Sequence, residues 1–290
     1  MLKKRRTLFD FVLNGLMLLV ILVTLYPMYD VICSSVSDPV RLSSNMGVLW
    51  HPLGFQTEAY RLVFNNPMIL RSYLNTLLYV GLGTTLNVTS TILTAYVLSR
   101  KGLFWGKLLR MMLVITMFFS GGMIPFYLIV DMLGLNGSWL AVILPYLFNP
   151  MNVVIMRTSF EGVPASLEES AYLDGASHFT VLTRIIVPLS MPVVAVMILF
   201  YGVGHWNSWF SAMMFIRDRH WFPLQLILRE ILIVNSTSDM TTAMNTADKA
   251  QIAENVKYAT IVISTLPILC VYPFLQKYFT KGIMIGAVKE

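Results

Sequence analysis

Long stretches without a single charge alternate with short segments in which charges gather. The uncharged stretches run from 11 to 29, 72 to 99, 111 to 130, 132 to 156, 185 to 216 and 258 to 276. Each is long enough to cross hydrocarbon as a helix, which takes about 20 mostly apolar residues. The pattern predicts an all-α, polytopic membrane protein with six transmembrane helices at about 9–31, 72–99, 109–130, 138–157, 189–216 and 257–277. Asp131 alone separates the third from the fourth, and Gly134, Leu135, Asn136 and Gly137 beside it supply the chain reversal. Runs such as Leu16 to Leu25 do not alternate as lipid-facing barrel strands must, which excludes a β-barrel. No repeat or low-complexity linker divides the chain, so 1–290 is expected to be one transmembrane domain with external loops at 34–71 and 217–256.

Composition agrees. Of the 290 residues 56% are hydrophobic and 12% charged, with a mean hydropathy of +0.68, against about 25% charged in soluble domains. The deficit covers the whole sequence, which excludes a soluble domain on a single anchor. The net charge of +6 matters through its placement. Lys3 to Arg6, then Arg100, Lys101, Lys107 and Arg110, then Arg157 and Arg184, then Lys277, Lys281 and Lys289 all fall on one side of a six-span arrangement. Basic residues in short loops stay in the cytoplasm, so both termini are expected there. No small-residue cleavage site follows the first apolar run, so it is expected to remain as a helix rather than leave as a signal peptide. Cys33 and Cys270 are expected to be packed thiols, with no metal or redox pattern around them.

One inner segment defies the basic trend. Between the fourth and fifth spans, Glu168, Glu169 and Asp174 fall within seven residues. Pro164 and Ser166 open a helix there, with Glu168 and Glu169 in a first turn that suits acidic groups, and Gly175 ends it. A second helical piece from Ser177 to Ile186 follows, until Pro188 and Pro192 restart the chain into the fifth span. The segment 161–188 is thus predicted to be a helix, turn, helix elbow on the cytoplasmic face.

Glu169-Ser170-Ala171, Asp174-Gly175-Ala176 and Ile185-x-Val187-Pro188 resemble the EAA loop of ATP-binding-cassette importer permeases, with Ser170 and Val187 as small departures. Tyr26-Pro27, Asn75-Thr76-Leu77, Ala95-Tyr96-x-Leu98-Ser99-Arg100, Met123-Ile124-Pro125, Leu133-Gly134-Leu135 and Trp206-Asn207 extend the resemblance to the carbohydrate-uptake branch, which includes maltose-type and complex-polysaccharide oligosaccharide permeases. The resemblance implies that the elbow is a coupling helix docked on a separate ATPase. Glu168, Glu169 and Asp174 would form its polar face, Glu169 the main polar contact, Ala171 and Ala176 its close-approach positions and Gly175 its turn. It further implies a homologous permease partner in a heterodimer, two ATPase subunits holding the ATP and Mg, and an extracytoplasmic sugar-binding protein that docks on the 217–256 loop. Nothing points to a cofactor in this chain or to nucleic acid.

A sugar path needs hydrogen-bonding and aromatic groups inside the membrane. Tyr201, His205, Trp206, Asn207 and Trp209 interrupt the fifth span, where Gly202 and Gly204 permit a bend, with an interfacial aromatic belt as the alternative. Asn149 and Asn152 break the fourth span, and Gly121, Gly122 and Pro125 the third, as binding sites in transporters often require or as plain kinks. Gly102 to Lys107 has three residues between its glycines where a phosphate loop has four, so the chain is not expected to bind ATP. Gly81 and Gly83 are read as helix packing. The four histidines lack ligand spacing, and no nucleophile, base and orienter coincide, so the chain is not read as an enzyme. The alternatives are a permease of this architecture for glycerol phosphate, peptide or polyamine, and a secondary carrier, which would need intramembrane carboxylates that the six uncharged stretches lack.

Overall fold

The computed structural model describes residues 8–45, 47–241, 254–270 and 273, and the side chains of 234–241 fall outside the description. Among the described residues there is helix and no strand. The helices are α1 (Leu8–Ser35), α2 (Pro39–Ser44), α3 (Glu58–Phe64), α4 (Pro67–Ser99, with a π turn at Tyr79–Gly83), α5 (Gly106–Phe118), α6 (Met123–Met132), α7 (Pro150–Glu161), α8 (Ala165–Leu173), α9 (His178–Leu189), α10 (Met191–Trp206), α11 (Phe210–Phe215), α12 (Leu224–Thr241) and α13 (254–270). The chain divides into two compact units, one of 1–69 with 228–266 and one of 70–227 with 267–290.

In the first unit α1 is apolar on every side, and only Cys33, Ser34 and Ser35 at its end are buried. A helix apolar all round belongs in lipid or against another protein. Beyond it the 34–71 segment is more ordered than a loop. Asp38 caps α2 by accepting from the amides of Val40 and Arg41 at 2.9 and 3.1 Å, and α3 and the start of α4 follow.

The second unit is built around a core in which Ala95 and Tyr96 of α4, Met156 and Phe160 of α7, Val181, Leu182 and Ile186 of α9, and Met197 and Tyr201 of α10 interlock. The described helices are sharply bent in three places. Helices α5 and α6 meet at 119°, and α9 and α10 at 85°; the 3₁₀ turns from Trp139 to Tyr146 meet α7 at 46°. Among the described residues two helices, α1 and α4, are long and apolar enough to cross a membrane unbroken, and up to five spans result if each bent pair counts as one.

Several expectations change. The 217–256 segment is no polar loop in its first half: α12 fills it, burying Leu224, Leu226, Ile227 and Leu228. Residues 242–253 lie outside the described residues, as do residues 1–7 and Lys277, Lys281 and Lys289. The fifth span does not bend at Gly202 or Gly204, which sit inside α10, because helix entropy penalises glycine without forbidding it. The break falls after Trp206, where Asn207 and Ser208 turn back through amide bonds to the carbonyls of Val203 (3.0 Å) and His205 (3.2 Å). Glu168 alone stands in the first turn of α8, since Pro164 is the cap and Ala165 the first residue, which places Glu169 one residue further on. Pro188 lies within α9 rather than after it, and the chain restarts at Ser190. Cys270 is exposed; both thiols are free. The turn after α6 has Gly134 at φ +70 and Gly137 at φ +87, with Asn136 Nδ2 donating to Asp131 Oδ1 at 2.7 Å.

Candidate functional site

The break before α7 leaves two carbonyls, those of Tyr146 and Leu147, inside the second unit. Asn87, from the middle of α4, donates its amide hydrogens to both, at 2.6 and 3.0 Å. With both hydrogens committed, Asn87 Oδ1 faces His205 Nε2 at 2.7 Å, so Nε2 carries the hydrogen. One turn along α4, Thr91 Oγ1 and Tyr201 OH lie 2.7 Å apart, both buried. The ring of His205 rests on Gly83: a Cβ there would come within 2.5 Å of Nε2. This is the close approach that a glycine on the face of a spanning helix permits.

Asn87, Tyr146, Tyr201 and His205 of this network wall a cavity of about 560 Å³. Asn149, Asn152, Tyr201, His205, Asn207 and Trp209 all line it, together with Asn87, Phe148, Phe200 and Ser208. Its size suits a ligand of a few rings. Among the described residues no Lys, Arg, Asp or Glu lines it. Amides, hydroxyls, an imidazole and aromatic faces form the wall, a set able to hydrogen-bond hydroxyls and stack on apolar ring faces. Asn149 also caps α7, its Oδ1 accepting from the Asn152 amide at 3.2 Å.

Trp206 is not part of this wall. It is buried, meets Tyr73 edge-on with ring centroids 5.7 Å apart, and borders a separate apolar cavity of about 710 Å³ with Leu77, Val80 and Ile198. Helical rotation explains the difference, since neighbouring positions point about 100° apart. Gly121, Gly122 and Pro125 also lie away from the cavity. Gly122, at φ +83, forms the α5 to α6 corner, and Pro125 sits in the first turn of α6, where a missing N–H is tolerated.

The second candidate region is the elbow. Helix α8 ends in a Schellman motif: the Ala176 amide donates to the Ala171 carbonyl at 2.9 Å and the Gly175 amide to that of Tyr172 at 3.0 Å, with Gly175 at φ +80. Ser177 then caps α9 by accepting from the Thr180 amide. Ala171 and Ala176 pack inward on the core, while Glu169, Asp174 and Gly175 are exposed. Glu168 is mostly covered and ion-paired with Arg100. Leu173 and Phe179, on either side of the turn, are 89% and 69% exposed. No group of three or more His, Cys, Asp or Glu able to hold a metal occurs among the described residues.

Sequence reasoning passed over Asn87, Thr91, Leu173 and Phe179, and gave Arg100 no side-chain partner. The signals were present: an Asn near the middle of an uncharged stretch, and two apolar residues on either side of Asp174-Gly175 in an acidic segment.

Residues 69–285 match the family described as "Binding-protein-dependent transport system inner membrane component". The polygalacturonan/rhamnogalacturonan transport system permease protein YtcP of Bacillus subtilis (strain 168) is 37% identical over 285 residues, covering 98% of this chain and 99% of the relative. Protein LplC of the same organism is 42% identical over 269 residues, covering 92% and 90%. Among solved structures, a bacterial ABC transporter involved in the import of the acidic polysaccharide alginate superposes with a TM-score of 0.85 at 29% identity, over 93% of this chain and 96% of that one. Apolar helices broken around a polar cavity, an acidic elbow and a match over most of the length agree: this chain is a multi-pass membrane protein that belongs to the binding-protein-dependent transport system inner membrane component family.

Proposed function

We propose that this chain is the permease subunit of an ATP-driven importer and passes oligosaccharide through the cavity of its second unit. The observation that carries the sugar reading is the convergence of Asn87, Asn152, Tyr201, His205, Asn207 and Trp209 on one uncharged wall, a set matched to hydroxyls and ring faces. The names of the relatives point the same way, since they describe transport of polygalacturonan or rhamnogalacturonan and import of alginate. The solute arrives on an extracytoplasmic binding protein. A homologous permease completes the path, and two ATPase subunits supply the ATP and Mg chemistry. The elbow docks on an ATPase subunit through Glu169, Asp174 and the exposed Leu173 and Phe179, with Gly175 setting the angle between its arms. Both termini lie in the cytoplasm. Closure of the ATPase pair moves the elbows and exchanges inward-facing and outward-facing states.

The test is ATP hydrolysis by the reconstituted complex with binding protein loaded from a panel: oligosaccharides of polygalacturonan, rhamnogalacturonan, alginate and maltodextrin, beside glycerol phosphate, peptide and polyamine. Stimulation by an oligosaccharide, abolished in Gly175→Asp, is the expected result. Stimulation by one of the other solutes alone would replace the sugar reading, and solute uptake without any ATPase subunit would replace the importer reading with an ion-driven carrier.

A further inference from the structure

The C-terminal turn of α4 holds both arms of the elbow at once. Tyr96 stands in the last turn of α4 and Arg100 caps it in extended conformation, while Glu168 and Tyr172 stand one turn apart on α8, so the two pairs face each other. Arg100 Nη1 pairs with Glu168 Oε2. The Tyr96 hydroxyl lies 3.2 Å from the Tyr172 hydroxyl and 3.2 Å from His178 Nδ1, and Tyr172 OH lies 2.7 Å from the same nitrogen. The triangle therefore joins α4 to α8 and to α9.

Arg100 has little freedom to do anything else. Its guanidinium sits 4.4 Å above the Tyr96 ring. Nε donates to the Tyr96 carbonyl at 3.3 Å and Nη2 to Ser99 Oγ at 2.9 Å. The Arg100 and Glu168 side chains are 24% and 12% exposed, so their attraction is screened far less than that of a surface pair. A cation at the end of α4 also suits its dipole.

Further back on the same helix, Asn87 reaches the cavity wall. From Thr84 to Ser99 α4 is unbroken, and Asn87 and Thr91 bind His205 and Tyr201. At about 1.5 Å per residue, Asn87 and Arg100 lie about 20 Å apart along one rod. A helix packed along its length moves as a body, so a displacement at one end is delivered to the other.

We propose that Tyr96 and Arg100 are positioning residues that clasp both arms of the elbow to α4, so that elbow movement shifts Asn87 in the cavity wall and Thr91 behind Tyr201 of that wall. The inference rests on the reading of the elbow as the coupling element. It adds which side chains transmit the motion and along which helix.

The experiment uses the complete complex in liposomes, with Cys33→Ser, Cys270→Ser and Ser208→Cys in this chain. The readout is the change in labelling of the introduced thiol by a water-soluble maleimide when ATP is added. Arg100→Gln and Tyr96→Phe should leave the amount of co-purified ATPase subunit unaltered and reduce the ATP response about tenfold, a coupling change of ordinary size. Arg100→Glu combined with Glu168→Arg should restore most of it. An unaltered ATP response in Arg100→Gln overturns the clasp, as does a loss that the charge exchange fails to restore or one matched by lost assembly. Gly175→Asp is measured beside them. A normal response in Gly175→Asp refutes the coupling role of the elbow itself, whereas a response lost there and kept in Arg100→Gln refutes only the clasp.

Discussion

Two glycines in one π turn should respond to alanine with opposite signs. Gly81 and Gly83 both lie in Tyr79–Gly83. A Cβ at Gly81 meets nothing within 4 Å, while one at Gly83 falls 2.5 Å from His205 Nε2, 2.7 Å from Cε1 and 2.8 Å from Cδ2. Ordinary contact begins at 3.4 Å, so the imidazole or the helix must retreat by about 1 Å in a close-packed interior. Overpacking of this kind costs about 1–3 kcal/mol. The retreat also strips His205 from Asn87, leaving buried polar groups unpaired at a further 1–3 kcal/mol, roughly. Against this stands about 1 kcal/mol from replacing glycine by alanine in a helix. Gly83→Ala should therefore destabilise by about 1–5 kcal/mol, and Gly81→Ala should stabilise by up to about 1 kcal/mol. Thermal unfolding of the purified complex followed by tryptophan fluorescence, with uptake measured in parallel, checks both. Equal stability and equal uptake for the two variants would refute the packing argument and with it the placement of His205.

Asn87→Leu keeps the volume but removes the partner of the Tyr146 carbonyl and of His205. Leu147 keeps a donor in Ser90, so a loss of about 2–4 kcal/mol and a fall in uptake are expected, read by the same unfolding and transport assays. Trp206→Ala should lower stability by about 3–5 kcal/mol with the relative uptake of different solutes unchanged, whereas Trp209→Ala should alter that preference; competition uptake separates them. Leu173→Ser and Phe179→Ser should reduce the ATPase subunit recovered with the complex while leaving membrane insertion intact, because both side chains are exposed and contribute little to the chain's own core.

The elbow was legible because its signals are local. Pro164, Asp174-Gly175 and Ser177 act within one turn of themselves, through caps and a positive φ, and the Schellman closure appears where the glycine stands. The Gly122 corner and the Asn149 cap are of the same kind. The cavity was legible only as a set of suspects. Asn149, Asn152, Tyr201, His205, Asn207 and Trp209 share a wall through the packing of α4, α7 and α10, and the same packing sends Trp206 to Tyr73.

The sequence by itself determined the class of protein and the places where helices begin, stop and turn. Solvation drives the first, since uncharged runs of this length are stable only with their backbone bonded internally in an apolar medium, and backbone sterics drive the second. Only the tertiary structure decided the angles at the breaks, the pairing of Glu168 with Arg100 and the partnership of Asn87 with His205. Those bonds join residues 68 and 118 positions apart, and which polar group meets which at that separation depends on how whole helices pack.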